Sequence, residues 1–263
     1  MAWWWNSSNV FEKPFALLYF HVPKCGGASV LYWMLRHNQQ FSLKLDYTQS
    51  KLFMQMHSDI FAGAKWSGPP PVPNWKHVNV AAEYHASTER LYHYMIPRLR
   101  KLRAKYRSVA GRMVTFITIV DPITVIKSFY QMWPPRHNGA IVSLKTWLGT
   151  PSASGIITRS LSNGATGCNI NRAMGTLSTF DRIIFLRKNG NMSTFCTFLK
   201  WHTCPRFPYK HLNGPMSNVT RLEVRNTPRV LFEPAALCDR KMLAASKHFS
   251  QKFIFTSAGV KGR

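Results

Sequence analysis

Apolar and aromatic residues run continuously from Phe15 to His21, and Val22–Gly27, with a proline and two glycines, breaks the run. A continuous apolar stretch of that length suits a strand covered on both faces. Ala28–Arg36 resumes the apolar pattern at helical spacing, so the chain opens with strand, glycine-containing loop and helix. The pattern repeats at Met113–Val120, a β-branched run that Asp121 and Pro122 end. Pro122 suits the first turn of a helix carrying Ile126, Phe129 and Tyr130, which Pro134 and Pro135 stop.

Between these units, Ser67–Pro73 reads as a proline-rich loop and Val78–Ala82 as a short apolar run. Ser87 or Thr88 caps a helix reaching about Lys105, kinked or split at Pro97. Ile141–Leu148, Cys168–Met174 and Ser193–Trp201 read as helices, Arg182–Leu186 as a strand, and Pro234–Phe253 as a last helix. Strands alternating with helices predict an α/β fold with a mostly parallel central sheet flanked by helices. No repeat divides the chain, which predicts one domain over 1–263 with 1–13 and 255–263 peripheral.

Charge narrows the function classes. Thirty-five Lys and Arg against 10 Asp and Glu give a net charge of +25, a field that draws polyanions and weakens with salt. Nucleic acid and sulfated glycans both qualify. The basic run Arg98, Arg100, Lys101, Arg103 and Lys105 is either a solvated helix face or part of a polyanion groove. The five cysteines contain no CxxC pair and complete no zinc spacing with histidine, so no metal is expected. Cys196 and Cys204 bracket a short segment and are either bridged or two free thiols. Sequons at Asn6, Asn191 and Asn218 permit a secretory location. No run of about 20 apolar residues is present, so no membrane span is expected and any anchor lies outside this sequence.

The first loop carries the chemistry. His21-Val22-Pro23-Lys24-Cys25-Gly26-Gly27-Ala28-Ser29 follows a strand and opens a helix, where free N–H groups and the helix dipole favour a phosphate. Gly26 and Gly27 let the backbone approach an anion, Lys24 adds a charge and Ser29 a hydroxyl. The ATP-type loop GxxxxGK followed by Ser or Thr is absent, which argues against ordinary P-loop kinases and ATPases.

This segment resembles the loop of the glycan O-sulfotransferases, His-x-Pro-Lys-Thr-Gly-Gly-Thr-Ser, with Cys25 and Ala28 in place of two threonines. A second element of that family, Arg-Asp-Pro-Val-x-Arg-x-x-Ser-x-Tyr, is similar to Val120–Tyr130: Asp121, Pro122, Ser128 and Tyr130 match, and Val120 replaces the first Arg. Cys168–Met174 and Phe180–Leu199 extend the likeness in the family's order. The resemblance implies a P-loop-like sulfotransferase fold and 3'-phosphoadenosine 5'-phosphosulfate (PAPS) as donor, with no metal. It implies a carbohydrate hydroxyl as acceptor, in a glycosaminoglycan or other anionic glycan, and a Golgi lumen location. Donor contacts fall on Lys24, Cys25, Gly26, Gly27, Ala28, Ser29 and Ser128, with Lys127 as the replacement cation for Val120. Loss of a charge-assisted phosphate contact costs about 1.5–3 kcal/mol, so a catalytically degenerate glycan-binding relative is the first alternative. A basic nucleic-acid-binding protein is the second.

Lys24 is expected to stabilise the leaving phosphate. His85, in Glu83-Tyr84-His85-Ala86-Ser87-Thr88-Glu89, is the leading base, since a neutral imidazole with a pKa near ~6.5 can take a hydroxyl proton. Glu83 is the second candidate, and His21 is read as loop scaffold.

Overall fold

The structure is a computed structural model that describes residues 13–36, 43–45, 50–61, 74–85, 91–164, 167–186, 192–200, 218–246 and 252–255. The described strands are β1 (Phe15–His21), β2 (Leu43–Leu45), β3 (Asn79–His85), β4 (Arg112–Ile119), β5 (Arg136–His137), β6 (Ala140–Ile141), β7 (Arg182–Phe185) and β8 (Phe253–Phe255). The described helices are α1 (Gly27–Arg36), α2 (Ser50–Met56), α3 (Ile96–Arg107), α4 (Pro122–Met132) and α5 (Leu144–Leu148). They continue with α6 (Ile156–Leu161), α7 (Ile170–Ser178), α8 (Ser193–Leu199), α9 (Asn218–Asn226) and α10 (Glu233–Ala245).

Six strands form one sheet in the order β2-β3-β1-β4-β7-β8, and every pairing in it is parallel. Side chains alternate across it. Ala16, Leu18 and Phe20 of β1 join a core with α3, α4, α6, α7 and α10, while Leu17 and Tyr19 join one with α1 and α8. All five are 0% exposed, which is why β1 reads as an unbroken apolar run instead of an alternating one. β4 alternates in the same way, with Ile117 and Ile119 on the first face and Val114 and Phe116 on the second.

The helix expected to split at Pro97 does so: a π-helical turn over Leu91–Met95 meets α3 at Ile96. Pro97 has no N–H to give the carbonyl four residues back, that of His93. Arg98 Nη1 donates to it instead, at 2.9 Å, and Arg98 Nε donates to Ile60 O at 3.1 Å. The basic run is therefore not one surface. Arg103 is tied to Asp181 and Thr115, and Lys105 to Asp59 at 2.6 Å, which leaves Arg100 and Lys101 exposed.

Two expected helices are corrected. Ile141 lies in a hairpin of β5 and β6, because Asn138 (φ 49°) and Gly139 (φ 81°) form a left-handed turn, and the helix starts only at Leu144 behind the capping Ser143. The last helix ends at Ala245, and Phe253–Phe255 instead adds a strand beside β7, with Phe255 opposite Phe185. Aromatic and β-branched side chains favour that pleated edge over a helix end. The loop at 67–73, Ser87, Thr88, Trp201, and the sequons at Asn6 and Asn191 lie outside the described residues; Asn218 opens α9.

A disulfide joins Cys168 to Cys238, tying the segment before α7 to α10 across 70 residues. Cys196 is also disulfide-bonded, and Cys204 lies outside the described residues. No described helix is long and apolar enough to cross a membrane.

Candidate functional site

The sheet order places a switch point at the centre. From β1 the chain turns toward β2 and β3, and from β4 it turns the other way toward β7 and β8. In doubly wound sheets, ligands bind in the crevice where connections part, beyond the carboxyl ends of the strands. Those ends carry Val22–Gly26 on one side and Val120–Asp121 on the other.

Side-chain chemistry ties the two segments together. The Cys25 thiol hydrogen-bonds the Val120 backbone, and the Cys25 carbonyl accepts from Thr118 Oγ1 at 2.7 Å. Thr118 Oγ1 also lies 2.7 Å from the Tyr19 hydroxyl. Cys25 is 0% exposed, and burial pushes its thiol up to about 12, so it is an anchor and not a nucleophile. Its N–H donates to Val22 O at 3.1 Å, so both its thiol and its N–H are engaged within the protein.

Lys24 and Gly26 adopt left-handed backbones, φ 64° and 85°. A Cβ at Gly26 would meet Leu186 Cδ1 at 2.7 Å, and one at Gly27 would lie 1.9 Å from His21 Nε2. The loop thus closes against β7 and packs its first helical residue on the His21 ring. A helix leaves its first N–H groups without intrahelical partners, and no described group accepts from Gly26, Gly27 or Ala28. Ser29 is buried beneath them. Lys24 Nζ lies 2.9 Å from Met132 Sδ and 5.4 Å from the Trp133 ring centroid, and burial lowers its pKa.

The two candidate bases, Glu83 and His85, lie on β3 beside this loop, next to His21 at the end of β1. His21 Nδ1 lies 2.7 Å from Glu83 Oε1, and the His21 and His85 rings meet edge to face at 4.8 Å. Glu83 is 2% exposed and its Oε2 is buried without a hydrogen-bond partner. That geometry makes Glu83 the support of His21. His85 is half-buried, and burial, followed by nearby His21, pushes its pKa down to about 4 and not the ordinary value expected from the sequence, so its ring is neutral at neutral pH but a weaker base than expected.

Across the crevice, Asp121 caps α4 by accepting from Thr124 N at 3.1 Å. Ser128 is half-buried on that helix, and Lys127 Nζ sits 4.7 Å from the Phe232 ring centroid. The structure also brings in groups that reading the sequence missed. Arg229 Nη2 reaches 4.0 Å from Asp121 Oδ1, beside the position of Val120, and Met132 and Trp133 flank Lys24. Arg229 follows Pro228 in a short 3-10 turn and carries no local motif. An open depression of about 410 Å³ is lined by Cys168, Asn169, Ile170 and Asn171 at the start of α7. Among the described residues, no cluster of three or more His, Cys, Asp or Glu is arranged to hold a metal ion.

Fold and loop define the class: an α/β protein with a parallel sheet flanked by helices and a glycine-containing strand-to-helix loop at its switch point. No family model and no curated protein matches the chain. Among solved structures it is similar to one from the PezAT chromosomal toxin–antitoxin system of the human pathogen Streptococcus pneumoniae. That likeness has 10% identity, covers 90% of this chain and 91% of that one, and has a TM-score of 0.32, too weak to bear on function.

Proposed function

We propose that this protein moves a sulfuryl group from PAPS to a hydroxyl of an anionic carbohydrate. The observation that carries the reading is the meeting of the two motif-bearing segments, with Cys25 bonded to Val120 and Thr118 at the central crevice. In this reading the N–H groups of Gly26, Gly27 and Ala28 cradle the 5'-phosphosulfate, with Ser29 and Lys24 beside them. The acceptor oxygen attacks sulfur in line, the bond from sulfur to the phosphate oxygen breaks, and the hydroxyl proton passes to His85. Lys24 leaves its contact with Met132 to meet the charge growing on the departing phosphate. Glu83 orients His21, which in turn packs against Gly27 and His85.

The 3'-phosphate falls to the far wall of the crevice, where Ser128, Lys127 and Arg229 stand in place of the arginine absent at Val120. The parallel sheet and its order are compatible with a P-loop-like sulfotransferase fold. The net charge of +25 favours a polyanionic acceptor, and the Cys168–Cys238 disulfide favours an oxidising compartment such as the Golgi lumen.

Val120 favours a second reading, a degenerate relative that binds glycans without transferring sulfate. Calorimetry with adenosine 3',5'-bisphosphate at physiological salt, with ATP as control, tests both. Selective binding that falls at least ten-fold in Lys24→Ala supports the donor site. Unchanged affinity in that variant refutes the loop assignment. Turnover that disappears in His85→Ala while bisphosphate affinity persists supports the active enzyme; a wild type that binds the bisphosphate but transfers nothing to any glycosaminoglycan supports the degenerate one.

A further inference from the structure

Trp133 stands where α4 ends and leaves 50% of its surface in solvent. Everything behind its ring is fixed. Its backbone N–H donates to Phe129 O at 2.8 Å, and its ring meets Phe129 edge to face at 5.1 Å. Phe129 in turn lies parallel to Trp147, 9° between planes and 6.2 Å between centroids, and Trp147 is only 3% exposed. Pro134 and Pro135 restrict the chain beyond it. An indole braced in this way presents apolar area at little entropic cost to a ligand.

The ring borders the candidate donor loop. Lys24 Nζ lies 5.4 Å from its centroid and 2.9 Å from the sulfur of Met132, which is itself 39% exposed. A thioether and an aromatic face are weak partners for an ammonium group compared with a carboxylate or sulfate. The result is a flat apolar surface with a cation at its border. A pyranose ring of an acidic saccharide offers the complement: a face of C–H groups to cover the indole, and an anionic substituent within reach of the ammonium.

We propose that the Trp133 indole, with Met132 beside it, is the platform on which a sugar ring of the acceptor stacks, next to the Lys24 loop. The inference rests on the sulfuryl-transfer reading for the identity of its ligand and names a binding residue for that reading. The other large exposed apolar side chains among the described residues, Leu222, Val230, Leu231 and Leu237, belong to α9, α10 and the turn between them.

The test uses a chemically desulfated heparin hexasaccharide, whose lower charge reduces the general attraction of a basic protein, titrated at physiological salt into wild type, Trp133→Ala, Trp133→Phe and Leu231→Ala. Trp133→Ala should weaken hexasaccharide binding about ten-fold or more, Trp133→Phe should keep part of the affinity, and Leu231→Ala should bind as wild type does. Equal binding by wild type and Trp133→Ala, or no binding by wild type, overturns the platform. Adenosine 3',5'-bisphosphate titrated into the same four proteins separates the two ideas. If wild type fails to bind the bisphosphate, the donor reading falls, while a loss of hexasaccharide binding confined to the Trp133 variants still supports a saccharide platform. Bisphosphate affinity that survives in Trp133→Ala while hexasaccharide affinity falls assigns the effect to the sugar and not to a damaged loop.

Discussion

Gly27 admits no side chain, because the His21 ring occupies the space a Cβ needs, 1.9 Å from where it would stand. His21 cannot yield easily, since Glu83 holds its Nδ1 at 2.7 Å and Tyr19 stacks on its ring at 5.8 Å. Gly27→Ala should therefore cost about 1–3 kcal/mol, as overpacking at a rigid site does, and should also abolish bisphosphate binding. Gly175 makes the comparison clean. A Cβ there meets nothing within 4 Å inside α7, so Gly175→Ala should stabilise by about 0.5–1 kcal/mol. Denaturant midpoints of the two variants check both signs.

The seam between α2 and α3 holds a histidine of a different kind. His57, just past α2, is 0% exposed, packed against Phe53, Trp75 and Tyr106, with Nε2 3.3 Å from the Tyr106 hydroxyl and Nδ1 unpartnered. Burial, reinforced by Lys105 and opposed by Asp59, pushes its pKa down to about 3. The folded protein then binds fewer protons here than the unfolded chain between about pH 6.5 and about pH 3. Its contribution to stability is fully present above the unfolded pKa and is lost as pH falls through that window, a loss on the order of a few kcal/mol. His57→Phe keeps the ring and removes the titration, so its melting temperature should fall less steeply than wild type between pH 6.5 and pH 4. Equal slopes would show that the seam does not govern acid stability.

For the molecule as a whole, the chief restraints are the sheet, the two cores on its faces and the Cys168–Cys238 cross-link. The cross-link lies against Gly155, whose Cβ would meet Cys238 Sγ at 3.0 Å, and beside the buried Asp239, which accepts from Thr158 N at 2.7 Å and from Ile157 N at the start of α6. It thus joins α6, α7 and α10 in one corner. Closing a loop across 70 residues restricts the unfolded chain by about 4 kcal/mol. The double variant Cys168→Ala, Cys238→Ala should lose about that much in equilibrium unfolding, with the sheet's far-ultraviolet signal intact below the transition. A loss under about 1 kcal/mol would mean that contacts around α10 hold this corner without the bond.

Local pattern determined the parts of this protein whose physics is local. The bounds of β1, the loop after it, the start of α4 behind Asp121 and the break before Pro97 were all readable, because apolar period, proline and capping act within a few residues. The sequence also singled out Lys24, Gly26, Gly27, Glu83 and His85, and the tertiary structure brings them to neighbouring strand ends, although it makes Glu83 a buried support and Cys25 an anchor. Other features needed the fold. Trp133 meets Lys24 at a separation of more than a hundred positions, Thr118 meets Cys25 across 93, and Cys168 finds Cys238 across 70. β8 is a strand only because β7 offers it an open edge. Such contacts depend on which strands pair and on which side each connection turns, and that choice is made by burial summed over the whole sheet, with no short stretch of residues encoding it.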